Sequence, residues 1–200
     1  MQTGPVWTFT TALVVDDFES YTDKAGAEVF STWIDGYADN SSGSTVGNLT
    51  AVNGTYGETQ IIHGGKQSMP MDYNNVKTPF YSEAQRQFSP VEDWTAGGAN
   101  TLVLYVRGNA SNVVAPLYVV LEDSAAHTAV LVHPDAAAVK TTRWLEWRIP
   151  FADASAAGVN LAKVKKLYIG VGDRKKPAAG GAGRIYIDDI WLLKSAPAKP

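Results

Sequence analysis

Retaining hydrolysis of a glycosidic bond needs two carboxyl groups about 5–5.5 Å apart. Glu83 and Glu122 are the one such pair that strand alternation puts on a common face. The three histidines, His63, His127 and His133, lie on different segments with no His-x-x-x-His spacing, so catalytic zinc or copper is not expected. The chain has no cysteine, which removes disulfides, thiolate catalysis and cysteine-bound zinc. There is no Gly-x-Ser-x-Gly elbow, and Gly170-Val171-Gly172 and Gly180-Gly181-Ala182-Gly183 read as strand and turn glycines rather than a phosphate cradle. No catalytic residue is therefore assigned. What remains is aromatic and oxygen-rich: acids at both ends of the chain, a polar stretch over 35–44, and tyrosines and tryptophans spread between them.

The elements that must position these groups are strands. Six Trp, nine Tyr, six Phe, 18 Gly and 10 Pro suit short strands joined by turns better than a helical bundle. Period-two reading predicts strands at Leu13–Ser20, Val29–Ile34, Thr59–His63, Ser68–Tyr73, Tyr81–Phe88, Thr101–Arg107, Pro116–Glu122, Ala129–His133, Arg143–Ile149, Lys166–Gly172 and Arg184–Leu193. Asn53-Gly54, Gly64-Gly65, Gly97-Gly98 and Gly180-Gly181 punctuate them. Ala152–Lys163 reads as a loop with at most one helical turn, because Gly158, Asn160 and paired small residues interrupt it. Without crossover helices a parallel sheet cannot form, so the expectation is all-β: two antiparallel sheets packed as a jelly-roll sandwich. Alternation puts Leu102, Leu104 and Val106 on one face of their strand, and Leu145, Trp147 and Ile149 opposite Trp144, Glu146 and Arg148 on theirs. Trp94 and Trp147 are expected in the core. One domain over 1–194 is expected, followed by a Pro/Ala linker-like tail at 195–200.

Charge narrows the partners. With 17 basic and 20 acidic residues the net charge is −3, and the basic residues are scattered except at Lys163–Lys166 and Arg174–Lys176, so nucleic acid is not expected. No apolar run approaches the ~18 residues of a membrane span, and no basic n-region precedes an apolar stretch at the N-terminus.

Val15-Asp16-Asp17-Phe18-Glu19, Gly65-Lys66-Gln67-Ser68, Asp93-Trp94-Thr95 leading into Thr101–Gly108, and Ile185-Tyr186-Ile187-Asp188-Asp189-Ile190, in that order, resemble the galactose-binding-like jelly-roll carbohydrate-binding modules. The resemblance spans nearly the whole chain. It implies that the first and last strands pair beside a structural calcium ion, held by Glu19, Asp188 and the Lys66 carbonyl, with Asp17 and Asp189 as second choices. The competing reading is that these carboxylates are solvated or ion-paired. The polar stretch Asp35–Ser44 lacks the twelfth-position Glu of an EF-hand and reads as an ordinary loop.

The resemblance also implies a concave sheet made of Tyr81–Phe88, Pro116–Glu122, Ala129–His133 and Lys166–Gly172. Sugar binding needs an aromatic plate plus groups for hydroxyls. The candidates are Tyr81, Glu83, Arg86, Tyr118, Glu122, Tyr168 and Arg174 on that sheet, Trp33 and Tyr37 at its rim, and Tyr73 with Asn75 from the neighbouring turn. The implied role is non-catalytic binding of polysaccharide or oligosaccharide by a monomeric module of a larger secreted or cell-surface protein, with that protein's other domains as further partners. Two alternatives stand beside it: a jelly-roll glycoside hydrolase or polysaccharide lyase, and a structural or adhesion spacer. Against the enzyme, the alternating Glu-x-Asp-x-Glu strand of laminarinase-like hydrolases and the Tyr-x-Lys-x-Tyr type of strand of alginate lyases are both absent.

Overall fold

The protein, seen in a computed structural model, is described over residues 12–195. The tail beyond Ser195 lies outside the described residues. Its strands are β1 (Ala12–Asp16), β2 (Trp33–Ile34), β3 (Ser44–Val46), β4 (Met69–Asn74), β5 (Tyr81–Glu92), β6 (Thr101–Arg107), β7 (Leu117–Asp123), β8 (Thr128–Val132), β9 (Leu145–Pro150), β10 (Val164–Gly172) and β11 (Ala182–Leu193). Two short helices, α1 (Val29–Thr32) and α2 (Phe151–Ala156), complete the regular structure with a few 3-10 turns.

Every pairing is antiparallel, in two sheets. One runs β3-β4-β11-β6-β9, with β1 beside the C-terminal half of β11; the other runs β2-β5-β10-β7-β8. Between them the alternate residues interlock: Met69, Met71, Leu102, Leu104, Ile185 and Ile187 face Leu117, Val119, Leu121, Leu167, Ile169 and Val171, all buried. Each such side chain contributes about 1.5–3 kcal/mol through burial. Trp94 and Trp147 are in this core, as expected.

Several expected elements differ. Thr59–His63 is a loop rather than a strand, bracketed by an isolated bridge between Glu58 and Ser68. Its amides are spent on carboxylates instead of a ladder, His63 and Gly64 donating to Asp188. Val29–Ile34 is a helical turn followed by a two-residue strand, with the Glu28 carboxylate accepting from Ser31 Oγ and Gly26 N. The first strand ends at Asp16, because Phe18 takes a left-handed φ of 62°. Within the stretch that reads as loop, Ser44 opens β3. The 152–163 segment holds a six-residue helix, Phe151–Ala156, and a 3-10 turn at Leu161–Lys163: buried Phe151 and Ala154 give it an apolar side that packs against β8 and β9.

Candidate functional site

The register of the five-stranded sheet fixes which side chains face away from the core. Along β10, Leu167, Ile169 and Val171 point inward, so Lys166, Tyr168, Gly170 and Gly172 line the outer face. Their neighbours on β5 are Gln87, Gln85, Glu83 and Tyr81, and on β7 Glu122, Val120 and Tyr118. Thr128, Val130 and Val132 of β8 and Ile34 of β2 complete the face. Ile34, Gln87, Thr128 and Val132 are exposed, and among the described residues no helix crosses them.

At the centre stands Tyr168, half-buried, with its hydroxyl donating to Glu122 Oε2 at 2.9 Å. Lys166 Nζ approaches the same hydroxyl at 3.3 Å and Glu122 Oε1 at 3.5 Å. Burial first, then the Glu122 carboxylate, push the Tyr168 phenol well above its ordinary range, so it stays a neutral donor. The Arg174 guanidinium sits 5.1 Å from the ring centre. One rung further, Arg174 Nη1 lies 3.2 Å from Oε2 of the buried Glu83. Burial raises the Glu83 pKa and Arg174 opposes it. Beside Glu83 the Tyr118 ring lies across Gly170, where a Cβ would clash with its phenol end.

The sequence-derived candidates divide accordingly. Tyr81, Glu83, Tyr118, Glu122, Tyr168 and Arg174 are brought together on or over this face. Tyr37 is 69% exposed at its β2 rim, in a recess shared with Ile34 and Leu49. Three candidates are corrected. Arg86 has the opposite parity to Glu83 and points into the sandwich, where it pairs with the buried Asp16. Trp33 pairs with Arg86 on that inner side; it is fully buried and donates from Nε1 to Asp16 at 2.8 Å. Tyr73 is buried in the other sheet with its hydroxyl donating to the Val113 carbonyl. Asn75 is likewise consumed, donating to Val171 O and accepting from Ser82. Gln85, Gln87 and Lys166 were missed, although the alternation that selects Glu83 and Tyr168 selects them too.

The register separates Glu83 from Glu122 by two strands across and four residues along. Their backbones are therefore about 16 Å apart, with Tyr168 between. A retaining pair at about 5–5.5 Å is not built here.

The acids of the two chain ends meet at one loop. Both strands bulge there, β1 between Val14 and Asp16 and β11 between Asp188 and Trp191, and Asp189 takes a φ of 47°. Glu19 Oε1 accepts from the amides of Lys66 and Gln67 at 2.8 and 3.2 Å. Asp188 accepts from His63, Gly64 and Asp189, and Asp189 Oδ2 lies 2.6 Å from His63 Nδ1. Burial and the charge of Asp189 outweigh those amides and raise the Asp188 pKa to about 6. Asp17 does not join them; its one bond caps its own turn, from Glu19 N. The donor set is all oxygen, and Gly64 and Gly65 leave cradles that a Cβ would fill against Asp189 and Glu19. Such a set fits a hard cation. Among the described residues no three acidic or imidazole side chains are grouped tightly enough to hold a metal unaided, so carbonyl oxygens would have to complete the shell. In the 35–44 stretch the carboxylates are used locally, Asp35 accepting from Tyr37 and Val46 and Asp39 from Ser41.

The protein thus has an antiparallel two-sheet β-sandwich fold. No family model and no curated protein matches the sequence. Solved structures do. The family 11 carbohydrate-binding module of cellulosomal cellulase Lic26A-Cel5E of Clostridium thermocellum aligns over 96% of this chain and 100% of its own, with 13% identity and a TM-score of 0.52. A Clostridium thermocellum family 11 module in complex with a β-1,3-1,4-mixed-linked tetrasaccharide aligns over 93% and 96%, with 14% identity and a TM-score of 0.53. An exo-β-agarase matches 93% of this chain over 26% of its own, with 8% identity and a TM-score of 0.60. At these identities the likeness is one of fold.

Proposed function

We propose that the protein binds a polysaccharide or oligosaccharide, without catalysis, on the outer face of the five-stranded sheet. The observation that carries this reading is Tyr168: an aromatic plate at mid-sheet, its hydroxyl fixed by Glu122, among Lys166, Gln85 and Gln87, with no helix among the described residues laid over it. A sugar ring can stack its C–H face there while its hydroxyls meet carboxylate, amide and ammonium groups. The fold shared with a module solved with a mixed-linked tetrasaccharide supports the same reading. The match to a quarter of an exo-β-agarase chain supports a role as one module of a larger carbohydrate-active protein, secreted or at the cell surface. In the same reading Glu19, Asp188, Asp189 and the Lys66 carbonyl hold a structural calcium ion, whose charge neutralises carboxylates that otherwise repel.

The test is depletion from solution by insoluble polysaccharides together with affinity electrophoresis in soluble ones. The parent protein is expected to bind at least one glycan, and Tyr168→Ala to weaken that binding by about tenfold or more while remaining folded by circular dichroism. Release of reducing ends or unsaturated uronates by the parent would point to an enzyme instead, and no retention on any glycan to a spacer.

A further inference from the structure

The geometry points to a specific cup at one end of this face: Glu83, Tyr118 and Arg174 take a pair of neighbouring hydroxyls on a neutral sugar. The inference rests on the glycan-binding reading above and names the class of sugar and the atoms that select it.

The cup is a recess of about 390 Å³ where the Asp173–Lys176 segment folds back over Tyr118, Val130, Val132 and Gly172. Asp173 shapes that segment by accepting from the amides of Lys175 and Lys176. Three polar atoms on or beside it are buried with no hydrogen-bond partner among the described residues: Tyr118 Oη and Arg174 Nη1, whose residues line the recess, and Glu83 Oε1 next to them. Glu83 is 7% exposed and Tyr118 1%. Burial first, then the nearby Glu83 carboxylate, raise the pKa of the Tyr118 phenol, but Tyr118 Oη stands out of line for a full hydrogen bond, as does Arg174 Nη1 at 3.2 Å from the other carboxylate oxygen. Buried polar groups in native proteins are nearly always satisfied, so three orphans meeting at one place call for a missing partner. The arrangement is also built rather than accidental, since Tyr118 occupies the space that a side chain at position 170 would fill.

The chemistry of the three atoms selects that partner. Glu83 Oε1 only accepts, Arg174 Nη1 only donates, and Tyr118 Oη does either. A hydroxyl donates and accepts at once, so two adjacent hydroxyls satisfy all three. A carboxylate on the sugar would meet Glu83, and an ammonium would meet Arg174. Val130 and Val132 offer an apolar wall to the ring itself. The Arg174 side chain, 30% exposed, rests on the Tyr168 face and beside Glu83, so the same guanidinium borders both the cup and the plate.

The experiment is calorimetric titration of the parent, Glu83→Gln and Tyr118→Phe with three probes: a β-1,3-1,4-mixed-linked glucan tetrasaccharide, a neutral agaro-oligosaccharide and an oligogalacturonate. Melting curves are recorded with and without each sugar. The expected result is that the parent binds a neutral probe about tenfold or more tightly than the oligogalacturonate, and that each variant weakens neutral binding about tenfold or more. Tyr118→Phe, losing an orphan hydroxyl, is expected to melt at or above the parent temperature without sugar. Preference for the oligogalacturonate, variants that bind as the parent does, or a Tyr118→Phe that melts lower but keeps its sugar-induced shift would each overturn the inference. In all three cases the glycan-binding reading survives; a parent that binds no glycan ends both.

Discussion

Asp123 closes β7 with both of its oxygens engaged. They accept from the amides of Ala125 and His127, the His127 ring and the Asn160 amide, at 2.8–3.0 Å. Burial by itself would raise its pKa; the bonds from Asn160 and His127 outweigh that and hold it at about 2. The folded value lies below the ordinary 3.8, so the stabilisation is complete above about pH 4 and is lost as the pH falls toward 2. Asp123→Asn is therefore expected to cost about 1.5–3 kcal/mol at neutral pH and to melt with the parent at pH 2, read by circular dichroism across that range. Asp16 illustrates the same rule where the sequence misleads. Arg86 and Trp33 look like surface ligands by residue type, but a buried carboxylate that also takes the Tyr21 hydroxyl draws both into the interior. Nothing local to either residue announces that Asp16 lies on the inner side.

At the scale of elements, β10 and β7 determine the face together. Gly170 pairs with Tyr118 and makes room for its ring. Gly170→Ala is expected to displace Tyr118, costing about 1–3 kcal/mol, and to weaken glycan binding more than it lowers stability; thermal melts and affinity electrophoresis on the same protein separate the two effects. Most of this architecture was legible in the sequence. Period-two alternation located β5, β7, β8 and β10 as strands, and the family resemblance implied that they share one sheet. Alternation failed where backbone groups bond to side chains instead of a ladder, as at 59–63, and where a strand is only two or three residues long, as at β2 and β3. Of the site, parity gave Glu83, Tyr118, Glu122 and Tyr168. That Arg174 rests on the Tyr168 ring was not legible, because a loop's return path leaves no periodic trace.

For the whole molecule, the acids of both chain ends bond to one loop, where the repulsion between Asp188 and Asp189 is a term a cation would remove. Calcium is expected to raise the melting temperature by several degrees and EDTA to lower it, since an ion bound only by the folded state stabilises it by mass action. Glu19→Gln should abolish most of the calcium effect, and melting that ignores both additions would exclude a structural ion.

The pairing of β1 with β11 puts Ala12 opposite Leu193, so the two strands leave the sandwich from one corner, their backbones roughly 5 Å apart. Tension applied between those ends peels β1 away rung by rung instead of shearing all its rungs at once, a weak direction for any antiparallel pair. The peeling front then reaches the Glu19 and Asp188 junction, where the carboxylates grip the 63–67 loop. Force applied between those ends would thus meet these bonds a few residues in, with the five-stranded sheet on the far side of the sandwich.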